Sequence, residues 1–189
     1  MAHPMGASAV VLGGAMAVWI GGVALPATAA TPAVPTPSAL HAVDLDFVLH
    51  AAEGGAAEVA LGKMAASKAT DDNIQQFADQ MAKDHSMANK ELAGIASAKG
   101  TTPSDEPGPA AVAVQEALDA LAADGFDTEY MTQQVAAHSL TLALFETCAA
   151  SCIDPEIKGF AAKHVPIVQD HLKQAQDLLA KANDQAKAE

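Results

Sequence analysis

Residues 72–100, DNIQQFADQMAKDHSMANKELAGIASAKG, decide the fold that we predict for this chain. Apolar residues recur there at steps of four and three, which is the spacing of one face of an α-helix. This apolar seam, which His85 interrupts, consists of Ile74, Ala78, Met81, Ala88, Leu92 and Ile95. Thr70-Asp71-Asp72 supplies N-cap residues before the helix, and Gly100 is suited to end it. The stretch therefore predicts a long amphipathic helix with an imidazole on its buried face.

Three other stretches carry the same seam and predict three more long helices. They run from about Asp44 to Ala69, from near Asp127 to the turn before Asp154, and from there to about Ala182. Asp154-Pro155-Glu156 marks the start of the last helix, because an N-cap Asp, a Pro in the first turn and an acid near the positive helix end all favour initiation. Pro166 should kink that helix, since proline removes a backbone hydrogen bond.

The two halves of the chain are similar in sequence. Residues 73–78, NIQQFA, correspond to residues 156–161, EIKGFA, 83 positions further on. Between the halves, a Pro-rich connection contains a short predicted helix from Ala110 to Ala123, which Asp124-Gly125 should end. We therefore predict an all-α fold, a ferritin-like four-helix bundle of two helical hairpins joined by a long crossover that holds the short helix.

Each predicted seam holds an ionisable residue at a similar depth, and these are Glu58, His85, His138 and His171; the last seam also holds His164. At about 1.5 Å of rise per residue, counted from the turns, the depths of the first four in the bundle differ by only about 8 Å. Carboxylate and imidazole are common transition-metal ligands, so one hypothesis is a metal site in this layer. The alternative is a metal-free layer, in which a buried Glu58 is compensated by a histidine. The sequence leaves both open.

Neighbours of these histidines are given a different role. Asp84 and Asp170 precede His85 and His171 and point about 100° away from them, so we interpret them as surface groups or as groups that support a ligand. His164 is interpreted as an ordinary core histidine with its hydrogen bonds satisfied.

Cys148 and Cys152 are the two cysteines of the chain and lie four residues apart near a helix end. In an oxidising compartment they can form a local disulfide if the helix relaxes there. We favour the disulfide over a metal dithiolate, because the sequence offers no nearby pair of further ligands.

The N-terminal part of the chain is interpreted as a targeting segment. The apolar run from Ala9 to Leu25 is followed by small residues suited to signal peptidase, so residues 1–30 are predicted to be a signal peptide. Residues 31–43 then form a Pro-rich linker, 44–182 the bundle domain and 183–189 a polar tail. We expect export to the periplasm or cell envelope of a bacterium, with no stable membrane insertion after cleavage.

The formal net charge of −13, with ten Lys and no Arg, argues against two classes of partner. Such a surface repels nucleic acid and anionic lipid headgroups, so we expect neither to bind. Composition says nothing of a protein partner or of the oligomeric state.

From Phe47 onwards the chain resembles the domain-of-unknown-function family 4142, whose members are often described as predicted outer membrane proteins. The resemblance spans about Asp44 to Leu179. It is carried by Ala51-Ala52-Glu53-Gly54-Gly55, Glu58, Leu61-Gly62-Lys63, Phe77-Ala78, Met81, Asp84-His85, Asn89, Phe126-Asp127, Tyr130, His138, Leu144-Phe145-Glu146, Asp154-Pro155, Pro166 and His171-Leu172.

The resemblance implies a ferritin-like bundle in a bacterial envelope, with Glu58, His85, His138 and His171 at recurrent family positions. The chain departs from di-iron ferritins, which need Glu-x-x-His on two helices, because positions 82 and 168 are Ala and Val. The leading hypothesis is thus a periplasmic bundle that binds a transition metal, with iron, copper, zinc and manganese as candidates. The alternatives are a metal-free structural or stress-related envelope protein, and an oxidase; we favour a non-enzymatic role.

Overall fold

The computed structural model describes residues 40–187, and these residues form helices connected by turns and one longer segment, with no strand in that range. The helices are α1 (Ala42–Lys68), α2 (Asp72–Ala98), α3 (Pro109–Asp119), α4 (Ala123–Ser151) and α5 (Pro155–Ala186). The prediction of an all-α bundle is confirmed. The predicted signal peptide and residues 31–39 of the predicted linker lie outside the described residues, as do the last two residues of the predicted tail.

The four long helices pair as two hairpins. α1 packs along α2, and α4 packs along α5; α1 also contacts α4, and α2 contacts α5. The segment between α2 and α4 carries α3, which lies against α1 and α4. It starts at one end of the bundle and finishes at the other, so α4 runs antiparallel to α1 and α5 runs parallel to it. The predicted hairpins and long crossover are therefore present.

Two buried aspartates fasten the ends of these hairpins to each other. Asp127, near the start of α4, accepts hydrogen bonds from the backbone N–H and hydroxyl of Thr70 and from the N–H of Asp71 in the α1–α2 turn. Asp44, near the start of α1, accepts bonds from the N–H groups of Ile153 and Asp154 in the α4–α5 turn. All three positions of one set lie 83 residues from those of the other. The similarity of the halves is thus also a similarity of contacts.

The core consists of two apolar clusters with polar side chains between them. One cluster includes Leu61, Ile74, Met81, Phe126, Tyr130 and Ala175. The other includes Phe47, Leu92, Phe145, Ile157 and Phe160. Each long helix supplies apolar residues to both clusters, and a polar residue lies between these two sets. We call Glu58, His85, Gln134, His138 and His171 the polar layer. Its position explains why all the predicted site residues fall at one depth.

Some element boundaries differ from the prediction. The dipeptide Asp124-Gly125 was predicted to end a helix, but it lies in the first turn of α4, and α3 already ends at Asp119. The prediction was wrong because a glycine costs only about 1 kcal/mol in a helix, and burial of Phe126 and anchoring of Asp127 offset that cost. α5 continues through Pro166 to Ala186, four residues beyond the predicted end; the kink at Pro166 stays a prediction.

Two predicted turn features are present. Gly100 follows α2 with a φ of 74°, a conformation that glycine adopts without steric cost. Cys148 and Cys152 form a disulfide, and Cys152 is the extended C-cap residue of α4, so the helix relaxes where the prediction required it.

Candidate metal centre

Three histidines from three different helices converge in the polar layer. His85 lies on α2, His138 on α4 and His171 on α5. The centroids of their rings form a nearly equilateral triangle, with sides of 5.6 Å (His85–His138), 5.7 Å (His85–His171) and 5.5 Å (His138–His171). One ring nitrogen from each lies within 4.8 Å of the others, and among the described residues these three form the group able to hold a metal ion.

Hydrogen bonds at the outer edges of two rings fix which nitrogen faces the centre. The Nδ1 of His138 lies 3.0 Å from the carbonyl oxygen of Gln134, and the Nε2 of His171 lies 3.3 Å from Oδ2 of Asp84. When these nitrogens donate, the remaining nitrogens of the neutral rings carry free lone pairs. Those nitrogens, Nε2 of His138 and Nδ1 of His171, are buried and have no hydrogen-bond partner among residues 40–187, as is also true of Nε2 of His85.

Burial keeps two of the three histidines free of positive charge. Burial, followed by repulsion from His138 and His171, lowers the pKa of His85 to about 3. Burial also lowers the pKa of His171, with repulsion from His138 acting in the same direction and the Asp84 carboxylate opposing it. At neutral pH these two imidazoles are therefore neutral, which is the protonation state that binds a metal ion.

Glu58 lies in the same layer but outside the converging group. Its carboxylate is buried and accepts a hydrogen bond from Nε2 of Gln134 at 2.8 Å. Burial raises its pKa, against the opposing attraction of His138 and the bond from Gln134. The structure thus brings together three of the four predicted ligands and places the fourth beside His138. Direct coordination by Glu58 stays a prediction.

The structure adds polar residues that the sequence pattern did not reveal. Gln134 is fully buried and links Glu58 to the backbone that holds His138. The buried hydroxyl of Tyr130 is unpartnered within the described part of the chain, and burial and the charge of Glu58 both raise its pKa. The spacing of Gln134 and His138, one helical turn, was the available signal. His164, as predicted, is a buried histidine whose Nδ1 bonds to the carbonyl of Phe160.

The ring nitrogens of this centre are suitable ligands for a metal ion, but they lie further apart than the ligands of a bound ion. A tetrahedral ion with metal–nitrogen bonds of about 2.0–2.1 Å places its nitrogens about 3.4 Å apart. The ring nitrogens, which lie up to 4.8 Å apart, must therefore approach one another by up to about 1.4 Å, which rotation of the rings about their side-chain bonds can supply. Three protein ligands also leave coordination positions for other molecules, as in catalytic zinc sites and unlike closed structural ones.

A groove between α2 and α5 leads to the centre. Its volume is about 520 Å³. His85 and His171 form part of its wall, together with Ala88, Phe145, Ile167 and Val168. The groove therefore borders two of the three histidines, whose centre-facing nitrogens are themselves buried.

The geometry is that of a helical-bundle protein with a buried three-histidine centre. The family model described as Domain of unknown function (DUF4142) matches residues 29–178, and the chain belongs to that family. Neither a curated protein nor a solved structure matches the chain. Within residues 40–187, none of the helices has the length and apolar character that crossing a membrane requires.

Proposed function

We propose that this protein binds a transition metal ion through His85, His138 and His171. The observation that carries the proposal is the convergence of three buried ring nitrogens, for which the described residues offer no hydrogen-bond donor. Leaving a buried ring nitrogen unpaired costs about 1–3 kcal/mol each, and the lone pairs with which His138 and His171 face the centre also repel. A cation at the centre removes both costs.

The ligand set favours zinc or copper among the candidate metals. Imidazole nitrogen suits zinc, copper and iron, whereas manganese prefers carboxylate oxygens, and iron(II) ranks below copper(II) and zinc in affinity for such ligands. The supporting bonds from Gln134 and Asp84 are of the kind that orients metal-bound histidines. Glu58 and Asp84 supply negative charge near the ion without being members of the converging group.

The proposed location is the periplasm or envelope of a bacterium. It rests on the signal-like N-terminal sequence and on the Cys148–Cys152 disulfide, which is stable in an oxidising compartment. The role that we propose is metal binding without catalysis. The alternative is a metal-free layer that fixes the register of the helices, and the bond between Gln134 and Glu58 is the contact that favours it.

Metal-free protein without a His tag, titrated with zinc, copper, iron and manganese, tests the proposal. We expect stoichiometric binding of zinc or copper by calorimetry. At a free metal concentration 100-fold above the dissociation constant, stability should rise by about 2.7 kcal/mol. His85→Ala and His138→Ala should each abolish this shift.

His164→Ala is the matched control, because His164 is also a buried histidine near the centre but lies outside the converging group. It should bind metal as the wild type does. Wild-type protein whose melting temperature is unchanged by all four metals would refute the proposal and favour the metal-free layer. A shift that survives loss of both His85 and His138 would place the site elsewhere.

A further inference from the structure

The groove between α2 and α5 has the dimensions and chemistry of a small-molecule site. Its volume of about 520 Å³ is within the range of about 300–1,000 Å³ that is common for such sites. Its wall is largely apolar, from Ala88, Phe145, Ile167 and Val168. Three charged residues also line it: Glu91 and Lys163 form an ion pair with each other, with Nζ and Oε2 2.7 Å apart, and Asp84 contacts His171. The groove therefore presents an apolar surface next to two ligand histidines.

Charges around the centre indicate what kind of molecule this surface accepts. The three imidazoles are neutral ligands, so a divalent ion keeps its charge of +2 when they bind it. A carboxylate lies close by: Oδ2 of Asp84 is 3.3 Å from Nε2 of His171, and Asp84 lines the groove. It offsets part of the charge of the ion, and the chain as a whole carries a formal net charge of −13. An anion thus gains little attraction on entering.

We propose that the groove binds a small, uncharged, largely apolar molecule whose one nitrogen, oxygen or sulfur donor completes the coordination of the metal. This inference rests on the proposed metal centre and adds the class of ligand that reaches it. The donor lies at the inner end of the groove, beside His85 and His171. The apolar body packs on Phe145, Ile167 and Val168.

Protein loaded with cobalt(II) tests the inference, because the visible absorption of this ion reports a change of ligand. Three probes are titrated: imidazole, 4-phenylimidazole and benzoate. 4-Phenylimidazole should bind at least about 10-fold more tightly than imidazole, since its phenyl ring is buried against apolar side chains. Benzoate, which has the same ring on an anionic donor, should bind at least about 10-fold more weakly than 4-phenylimidazole.

A matched pair of variants locates the ligand. Ile167→Trp fills the groove from a position that is 38% exposed, and Leu140→Trp makes the same change at a 74% exposed position on α4 that does not line the groove. Ile167→Trp should weaken 4-phenylimidazole by at least about 10-fold and leave cobalt affinity unchanged. Leu140→Trp should change neither quantity.

Each failure has its own meaning. Failure of cobalt to bind would overturn the metal centre, and with it this inference. Cobalt binding with equal affinity for imidazole and 4-phenylimidazole would overturn the groove as a ligand site alone. Benzoate as tight as 4-phenylimidazole would overturn the preference for a neutral donor, and an unaffected Ile167→Trp variant would place the ligand outside the groove.

Discussion

Glu58→Gln should stabilise the metal-free protein at pH 7. The carboxylate of Glu58 is 6% exposed, and the hydrogen bond that the structure gives it comes from the neutral amide of Gln134. Burial of a carboxylate costs several kcal/mol, and a hydrogen bond to a charged group returns about 1.5–3 kcal/mol. Glutamine keeps an acceptor for Gln134 without the charge, so we expect a net gain of about 1–3 kcal/mol.

The gain should depend on pH in a defined direction. Burial raises the pKa of Glu58 above its ordinary value of 4.5. The folded chain therefore binds the proton more tightly than the unfolded chain, and Glu58 destabilises the fold increasingly as the pH rises from about 4.5 towards its folded pKa. As the pH falls to about 4.5, the unfolded chain also takes up the proton, and the advantage of glutamine disappears.

Thermal and urea unfolding of metal-free protein at pH 7 and pH 4.5 measures both effects. For a domain of this size, 1 kcal/mol corresponds to about 2–4 °C in melting temperature. Glu146→Gln is the control, since Glu146 is exposed on α4, and it should change stability by less than about 0.5 kcal/mol. A Glu58→Gln variant that is less stable than the wild type at pH 7, or equally stabilised at pH 4.5, would refute the reasoning.

Metal affinity should change in the opposite direction. Because the charge of Glu58 acts on His138, its loss should weaken metal binding by about 10–100-fold, as is typical for groups that support metal ligands. If Glu58 destabilises the metal-free protein and strengthens metal binding, its presence in the core is explained by metal binding and not by folding. Unchanged metal affinity in the Glu58→Gln variant would show that Glu58 does not support the metal centre.

Three further outcomes are expected. Burial holds the pKa of His85 at about 3, so the unfolded chain takes up a proton near pH 6.5 that the folded chain does not. In urea unfolding, the metal-free protein should therefore lose about 1.4 kcal/mol of stability per pH unit below pH 6.5, and His85→Ala should flatten this dependence of stability on pH. Asp127→Ala should lower stability by about 2–4 kcal/mol in the same assay, because it leaves the partly buried N–H and hydroxyl of Thr70 without their acceptor. Replacing both Cys148 and Cys152 with alanine should cost about 2 kcal/mol or less, since the loop they close is short, and calorimetry should show unchanged metal binding.

The helices and the depth of the site could be predicted because both depend on local periodicity. A seam at steps of four and three defines the buried face. Residue counts from the turns give the depth to within a few ångström, although the two turns lie at opposite ends of the bundle, because the polar layer lies near the middle of the helices. That was enough to place His85, His138 and His171 in one layer. It was not enough to decide whether Glu58 joins them, because a few ångström separate a ligand from a neighbour of a ligand.

Other features depend on how the helices are rotated and spaced relative to each other. The groove is a gap between α2 and α5, and no single helix determines it. The contact between Asp84 and His171 joins two helices, so it could not be assigned from the spacing within either one. The start of α4 was misplaced for a similar reason, since burial of Phe126 in the core outweighs the local tendency of Asp124-Gly125 to end a helix.

The internal repeat gives an independent argument on what the histidines are for. The aspartate that fastens each hairpin end occurs in both halves, as Asp44 and as Asp127. The three histidines do not recur.

The positions 83 residues from His138, His171 and His85 are Gly55, Ala88 and Val168. A side chain on Gly55 would overlap that of Asn89, whose amide donates to the carbonyl of Ala52. The corresponding positions are therefore occupied by small or apolar residues, and the amide of Asn89 fills the space beside Gly55. Packing at this depth of a helical hairpin does not need imidazoles. The histidines occupy these positions but not the corresponding positions 83 residues away. This favours a role in ligand binding over a role in packing the helices.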